Sequence, residues 1–591
     1  MKREAPAPLR LKRQRGAHPK RLHSEIAEVL IDHEVFHLDS TFSYGIPDSL
    51  QGKVRVGTLV NVDFRNEARN GVVLAIVKKE TKVKPILSLS GDKSYPTNIV
   101  QLINAVRSRY IASYHDVSRF ARPTKTYIAP SDVAKTDQSQ PRFFLATRSV
   151  SIETLVSKRL KETKGTLIVC ETEAMVNSLA DSLSAHGIGN IYMQQKAGFS
   201  VPVISDGDSY VAIGMRGSIF SALPLLSRIL IINECSTHHL EQRRPRWNTR
   251  DVALLRQRIE GCELEFIGTS MSCEIGRLID EGGIKFQSER RFGVRHRPRF
   301  DFYPDTFHQT IRSGLTKGSV LVAVAEKSYS NLVLCAQCNG SIQCKCGGRL
   351  VARTVDILQC NLCGNQNTNW RCTYCQSSRF KTLRKGAGRI AEEIGKAFPQ
   401  TPIVIATSDH VPAVPTQNSI VIATFGAEPK IENGYASLIL LDGEQLSARG
   451  FMRSEENLLH RWSSLIASSP KATAIYLSLP AQHRVVQSIL SESPQRFIRD
   501  ELANRKATNL PPYSRVVLVS GNEGELLQLM ERLHSEFPSD SLHLSINHGT
   551  LVMKMSHELA PSLLSALRAL QHYRSAHGDE LLNIEVDPFA L

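Results

Sequence analysis

The chain has 591 residues, too many for one hydrophobic core, so three to five domains are expected. Its 41% hydrophobic content suits globular packing, and no run of about 20 apolar residues occurs that would span a membrane. The formal charge of +16 points to a polyanionic partner, nucleic acid first, through release of condensed counterions.

Residues 1–23 form a basic tail with eight Lys and Arg against one acid, Glu4, and are read as disordered. The tail lacks the apolar stretch of a secretory signal, so a cytoplasmic protein with reduced thiols is expected. Residues 24–120 read as short strands and turns, a small β-barrel-like or sandwich-like domain closed by a helical patch at 97–120. A polar linker covers 121–141. Over 142–295 apolar strands alternate with amphipathic helices, with strands expected at 165–170, 210–215, 228–233 and 264–271. A second such series over 296–485 has strands at 319–324, 402–407, 419–425, 436–442 and 472–479. Short apolar strands alternating with helices mean parallel sheets covered on both faces, hence two α/β lobes. Residues 486–591 mix helices such as 523–537 with strands such as 515–520 and read as an α+β C-terminal domain.

Eight of the twelve cysteines fall within 335–375, as Cys335-x-x-Cys338, Cys344-x-Cys346, Cys360-x-x-Cys363 and Cys372-x-x-Cys375. Four close pairs are what two tetrahedral zinc sites of four cysteines each require, because one short loop presents two thiolates to one ion. A nested pairing fits best: Cys335, Cys338, Cys372 and Cys375 hold one Zn²⁺, and Cys344, Cys346, Cys360 and Cys363 hold the second. With no ligand position left open, both ions are structural. Cys170, Cys262 and Cys273 sit beside apolar strands and read as structural thiols. His238 and His239 read as part of a solvent-facing loop. Trp247, among Arg243, Arg244, Arg246 and Arg250, reads equally as a base-stacking residue beside phosphate-tracking arginines or as an ordinary packing Trp.

Several motifs together resemble one family, the PriA replication-restart proteins. Ile213-Gly214-Met215-Arg216-Gly217-Ser218-Ile219-Phe220 is similar to that family's GTRSSLF segment, and Arg246-Trp247-Asn248-Thr249-Arg250-Asp251 to its WRYHARD region. Gly268-Thr269-Ser270-Met271-Ser272 stands where the family has GSATP. The cysteine array, Leu510-Pro511-Pro512-Tyr513 and Val586-Asp587-Pro588 match in order, so the resemblance runs from about residue 25 to the end. It implies two helicase-like (RecA-like) lobes with the zinc module inserted in the second, a DNA-binding N-terminal domain and an α+β C-terminal domain. Phe42-Ser43-Tyr44 aligns with an FDY motif whose aspartate recognises a DNA 3′ end. The candidate DNA contacts are thus Phe42, Ser43 and Tyr44 from this motif, with Arg216, Trp247 and Arg250 from the basic segments above. The family's winged-helix domain is missing, since only the linker stands in its place.

The family's motor needs three chemical parts that this chain lacks. A phosphate loop GxxxxGK[ST] holds the triphosphate, but the corresponding Phe144-Leu145-Ala146-Thr147-Arg148-Ser149-Val150-Ser151 has neither glycine nor lysine. The DEEH motif that places Mg²⁺ and polarises water has become Asn233-Glu234-Cys235-Ser236. The arginine pair of QxxGRxGR, worth roughly 10³–10⁵ in rate, is absent from 461–469. No catalytic or nucleotide-binding residue is therefore assigned, although ATP and Mg²⁺ are the family's cofactors. The expected protein binds forked or branched DNA, works with other primosome and replication proteins and with single-strand DNA-binding protein, and does not hydrolyse ATP. An active ATP-dependent 3′–5′ DNA helicase and a zinc-ribbon RNA-binding protein are the alternatives.

Overall fold

The computed structural model describes residues 18–121, 139–147, 151–160, 165–194, 199, 209–288, 298–325, 330–338, 344, 350–352, 358–360, 364–367, 370–372, 375–385, 387–407, 409–431, 434–447, 451–469, 472–538, 540–547 and 549–590. The basic tail up to residue 17 and most of the linker, 122–138, lie outside the described residues.

Five strands open the fold: β1 (Arg21–Ile31), β2 (Thr41–Gly45), β3 (Thr58–Phe64), β4 (Glu67–Val83) and β5 (Ile86–Ser94). They pair antiparallel in the order β2-β1-β4-β3-β5. Alternation along β1 turns Ala27, Val29 and Ile31 inward onto Tyr44, Val60, Val62 and Val73. Gly57 enters β3 with φ +88 and its backbone so close to the Tyr95 carbonyl that a Cβ would lie 1.8 Å from the oxygen. Helices α1 (Thr97–Tyr110) and α2 (Tyr114–Ser118) follow, the second started by a Ser113/Asp116 capping box.

The first lobe contains β6 (Arg142–Leu145), α3 (Ile152–Arg159), β7 (Gly165–Val169), α4 (Glu173–Ala185), β8 (Ile191–Met193) and β9 (Tyr210–Gly214). It continues with β10 (Leu226–Ile232), α5 (Thr249–Glu260), β11 (Glu263–Gly268), α6 (Cys273–Asp280) and β12 (Lys285–Ser288). The sheet is parallel, in the order β12-β6-β11-β10-β7-β9-β8. Its central strands are buried on both faces, which is why they read as unbroken apolar runs. Each long helix starts on a side-chain cap: Ser151 for α3, Thr172 for α4, Asn248 for α5 and Ser272 for α6. Gly261, at φ +70, then stops α5.

The second lobe begins with β13 (Arg299–Asp301), α7 (Phe307–Leu315) and β14 (Val320–Val324). The cysteine module interrupts it with β15 (Ser330–Cys335), β16 (Leu350–Ala352), β17 (Leu358–Cys360), β18 (Gln366–Asn367) and β19 (Phe380–Lys385), an antiparallel sheet ordered β18-β17-β16-β15-β19. The lobe resumes with α8 (Ala387–Ala397), β20 (Ile403–Ala406), β21 (Ile420–Thr424), β22 (Ser437–Leu440), α9 (Gly443–Ser447), α10 (Ser454–Ser468) and β23 (Ala474–Leu477). Its parallel sheet is ordered β13-β23-β22-β14-β21-β20. All nine expected lobe strands are present. The short edge strands β8, β12 and β13 escape sequence reading because three or four residues of mixed polarity carry no period.

Helices α11 (Arg484–Leu490) and α12 (Pro494–Ala507) lead to β24 (Arg515–Ser520), α13 (Glu523–Glu536), β25 (Leu542–Asn547), β26 (Thr550–Met555), α14 (Ala560–His577) and β27 (Asn583–Val586). These four strands pair antiparallel in the order β25-β26-β24-β27. The architecture is thus α/β with two parallel sheets, an antiparallel N-terminal domain and an α+β end. No helix among the described residues is long and apolar enough to cross a membrane.

The two ends of the chain meet at one buried carboxylate. Asp39, its side chain 2% exposed, accepts from Arg107 Nη2 at 2.7 Å and from the Tyr114 amide at 2.8 Å, and pairs with Arg568 of α14. Asp39→Ala leaves two guanidinium groups facing each other without their anion and is expected to lower stability by about 3–5 kcal/mol in urea unfolding. Asp39→Asn, which keeps an acceptor, costs less. Equal small losses in both would show the pair to be solvated.

Candidate functional site

The cysteine module gathers its outer ligands as the spacing suggests. The thiols of Cys335, Cys338, Cys372 and Cys375 all lie within 4.8 Å of one another, with Sγ–Sγ distances of 3.4 Å (Cys335–Cys375) and 3.5 Å (Cys338–Cys372). A tetrahedron of sulfurs about 2.3 Å from zinc has edges of about 3.8 Å, so the donor set suits one structural ion. Beneath it Val333, Leu350, Leu358 and Trp370 form a very small core, too small to hold the module without a staple. Of the expected inner set, Cys360 is buried at the end of β17 and Cys344 is half-buried. Cys346 and Cys363 lie outside the described residues.

In the N-terminal domain only one of the three aligned residues offers itself to a ligand. Tyr44 is buried, and its hydroxyl donates to the Asp63 carbonyl at 3.1 Å; burial pushes its pKa up to about 12, so it is a core residue and not a DNA contact. Phe42 is half-buried, edge-on to Phe64 with ring centroids 5.1 Å apart. Ser43 is exposed, and its Oγ donates to Glu28 Oε1 at 2.7 Å across the β1–β2 pair, where Glu28 stands opposite Ser43 in register. A carboxylate is therefore present beside Ser43, delivered by the neighbouring strand. Nothing in the linear sequence signals Glu28, because only strand register brings it there.

The carboxyl ends of parallel strands are where α/β sheets bind ligands. In the first lobe these ends carry polar groups that bond to one another. After β10, Asn233 adopts φ +50, donates from Nδ2 to Glu171 at 2.8 Å and accepts from the Thr269 amide at 3.3 Å. Glu171, just beyond β7, faces His460 Nε2 of α10 at 3.6 Å. Burial opposes charge on Glu171, but His460 and the Asn233 amide hold its carboxyl down at about 2. Burial likewise opposes charge on His460, yet Cys235 and Glu171 push it up to about 10. At the start of α3, where a phosphate would be cradled, Ser151 Oγ accepts the Thr154 amide at 3.2 Å. Glu153 follows in that first turn, taking Ser178 Oγ at 2.8 Å and Lys430 at 3.5 Å. Residues 148–150 of the aligned phosphate loop lie outside the described residues.

Glu234, the one acid retained from the family motif, turns away from this crevice. It is buried and accepts from the Ser272 amide at 2.7 Å and Ser272 Oγ at 3.0 Å, with Arg250 at 3.6 Å. Burial pushes its pKa up to about 7, against the pull of Arg250 and the Ser272 donors.

Two other expected DNA contacts are internal. Trp247 is 0% exposed, packed edge-on against Phe120 and Phe220 at 5.3 and 5.1 Å, so the packing reading holds and the stacking reading fails. Arg250 is buried, bonding Asp251, Ser272 and Glu274 at 3.1 Å each, so its Nε and Nη1 are committed to partners inside the protein. Arg216 is a third exposed, pairs with Glu241 at 3.2 Å and donates from Nη1 to the His238 carbonyl at 3.4 Å. Arg243, 67% exposed, stacks over Phe120 beside Arg119 and is the better placed cation of that loop. His239 is not a solvent-facing residue: it is fully buried, and its Nε2–H donates to the Ile232 carbonyl at 2.8 Å. Cys170, Cys262 and Cys273 are buried, as expected of structural thiols.

The raised Glu234 has a stability consequence. Its folded form keeps the proton up to about pH 7, whereas an ordinary carboxyl releases it near 4.5. Its contribution is therefore full below about pH 4.5 and is lost as the pH rises through 7. Glu428, pushed by burial up to about 7, acts in the same direction. The stability of Glu234→Gln to chemical unfolding is expected to fall less steeply than that of wild type between about pH 5 and 7, by up to about 1.4 kcal/mol per pH unit. The two curves should run parallel above about pH 8. Curves parallel over the whole range would mean that Glu234 is ionised throughout.

Comparison with known proteins follows the same lines. Residues 28–123 match the family model described as the 3'DNA-binding domain (3'BD) of PriA. The probable replication restart protein PriA of Mycobacterium tuberculosis is 25% identical over 573 residues, covering 84% of this chain and 86% of the relative. The replication restart protein PriA of Rickettsia felis is 22% identical over 609 residues, covering 90% of this chain and 93% of the relative. Among solved structures, the DEAH/RHA helicase HrpB of Escherichia coli aligns with 58% of this chain and 41% of that chain at a TM-score of 0.32 and 9% identity, too loose a likeness to carry an argument. The N-terminal domain match and the relatives aligned over most of their length make this chain similar to the PriA replication restart proteins from end to end.

Proposed function

We propose that the protein recognises stalled or forked DNA and promotes replication restart as a scaffold, without hydrolysing ATP. The observation that carries this reading is the first-lobe crevice, where the groups at the phosphate and metal positions bond to one another: Asn233 to Glu171, Ser151 to Thr154, Glu171 to His460. The Glu171–His460 pair already fills the crevice with its charges matched, and Asn233 supplies no anionic contact for Mg²⁺. The same observation weighs against an active helicase. The 3′ DNA-binding domain weighs against a protein that has turned to RNA.

The domain division follows from the same reading: a basic tail 1–23, a DNA-binding domain 24–120, a linker 121–141, lobes 142–295 and 296–485 with the zinc insertion 335–375, and a C-terminal domain 486–591. Two zinc ions hold the insertion, the second through Cys344, Cys346, Cys360 and Cys363. The protein works in the cytoplasm with other primosome and replication proteins, single-strand DNA-binding protein among them.

A DNA 3′ end differs from the rest of a strand by its free hydroxyl. Ser43 and Glu28 together offer a donor and an anionic acceptor for that group, and the carboxylate repels a terminal phosphate. Binding of forked DNA with a 3′-hydroxyl is expected to exceed binding of the 3′-phosphate fork in a fluorescence-anisotropy titration. Glu28→Gln should cut that preference by about tenfold, the worth of one charge-assisted hydrogen bond. DNA-stimulated phosphate release from MgATP should stay at background in both proteins. Turnover well above background would overturn the scaffold reading, and an unchanged preference in Glu28→Gln would remove Glu28 from the site.

A further inference from the structure

We propose that helix α10 of the second lobe is a built-in occupant of the first lobe's ligand crevice, clasping the two lobes in one closed arrangement that needs no nucleotide. The proposal deepens the scaffold reading above and rests on it only for the claim that the lobes have no motor cycle to perform.

Nucleotide between two lobes ordinarily makes the contacts that close them. Here α10 makes such contacts itself. His460 reaches two first-lobe strand ends at once, with Nδ1 3.4 Å from Ser270 Oγ and Nε2 3.6 Å from Glu171. One turn further on, Ser464 Oγ lies 3.1 Å from Thr269 Oγ1. One turn earlier, Glu456 accepts the Cys273 amide at the start of α6 at 3.3 Å. Just before the helix, Arg453 grips Glu274 with two bonds of 2.5 and 3.1 Å. The residues at 453, 456, 460 and 464 follow one another at helical spacing, so a single face of α10 lies along the crevice. The opposite face presents Leu458, Leu459 and Trp462 to the core, so the helix is fixed from both sides. A separation of 3.6 Å between Glu171 and His460 leaves no room for a phosphate group.

Opening the lobes would strip buried charges of their partners. His460, Glu456 and Arg453 are all buried, and an ion left unpaired inside a protein is far more costly than an exposed one. Outside the crevice, Lys430 and Glu153 add a further cross-lobe pair at 3.5 Å. The lobes then present their DNA-facing surfaces in one preorganised geometry, which favours recognition of a DNA shape over movement along it.

The test places fluorescent unnatural amino acids at Ser184 and Lys396, exposed positions on the two lobes, and reads the interlobe distance in single molecules of the full-length protein. One narrow distance is expected, unchanged by MgATP, by a non-hydrolysable ATP analogue or by forked DNA. His460→Ala, and separately the milder Glu171→Gln, should split it into two populations at unchanged zinc content. A wild-type distribution that is broad, or that shifts with the analogue, overturns the clasp. So does a distance that stays narrow in both variants, since α10 would then not be what holds the lobes. Phosphate release measured on the same samples separates the two ideas. Turnover sinks both readings, since a crevice filled by α10 has no room for a triphosphate, and mobile lobes without turnover sink the clasp alone.

Discussion

Arg250 cannot leave the interior without its counter-charges, and the packing of the whole molecule follows from where they come from. Its guanidinium bonds Asp251 and Glu274 at 3.1 Å and lies 3.6 Å from Glu234. Each of these acids but Glu234 is shared. Asp251 also takes Arg109 of the N-terminal domain at 2.9 Å, and Arg109 reaches on to Asp587 near the C-terminus at 3.3 Å. Glu274 takes Arg453 of the second lobe, and Glu456 beside it takes Arg505 of α12 at 3.0 Å. One alternating row of charges therefore runs through the N-terminal domain, both lobes and the C-terminal domain around a cavity of ≈ 130 Å³. Inside a protein each ion is tolerable only while its neighbours stand, so the row fixes four parts by one condition. It favours specificity of arrangement more than stability, since apolar residues packed equally well would hold the parts as firmly.

That row also explains the setting of Glu234. Glu234 stands in the chain after β10, but its partners are Ser272 and Arg250, so it braces the joint around Arg250 and not the crevice. Its neighbour Cys235 faces the other way, with its thiol 3.3 Å from Ser270 Oγ. On the proposed reading, a residue that once handled a metal-bound phosphate now braces the joint that positions DNA-binding surfaces. The same joint carries Tyr110, whose hydroxyl donates to Asp251 at 3.0 Å and which ties the DNA-binding domain directly to the first lobe.

The parts of this architecture that were legible in the sequence are those written in local pattern. Strands buried on both faces leave unbroken apolar runs, caps leave Ser, Thr or Asn ahead of a helix, and ligand pairs leave short cysteine spacings. The residues misjudged are those whose surroundings come from far along the chain. Trp247 stands among arginines in sequence, yet Phe120 from another domain covers it. Arg250 looks available for phosphate until Glu274 and Asp251 fold around it. Tyr44 looks like part of a surface motif, but alternation along β2 turns it inward while Ser43 faces out. Glu28 and His460 gave no signal at all, one depending on strand register and the other on the docking of two lobes.

The chemistry of the crevice bears on how it came to be as it is. A nucleotide site stripped of its lysine and acids by random change should be left with buried polar groups aimed at a missing ligand, each costing about 1–3 kcal/mol. No buried side-chain atom of Glu171, Asn233, Thr269, Ser270, Ser272 or His460 lacks a partner, and the unpaired atoms nearby, Arg453 Nε, Glu428 Oε1 and His239 Nδ1, lie outside that set. Asn233 is well suited to this role. It holds the positive φ of the turn, which asparagine tolerates better than most residues, and it spends its carbonyl on Thr269 and its amide on Glu171. The imidazole of His460 then neutralises Glu171, the charge that the strand end turns toward the second lobe. The substitutions fit one another as a set, across two lobes far apart in sequence. On the proposed reading, a set of that kind is what continued demand for a rigid, closed pair of lobes produces, because each member is needed only in the presence of the others.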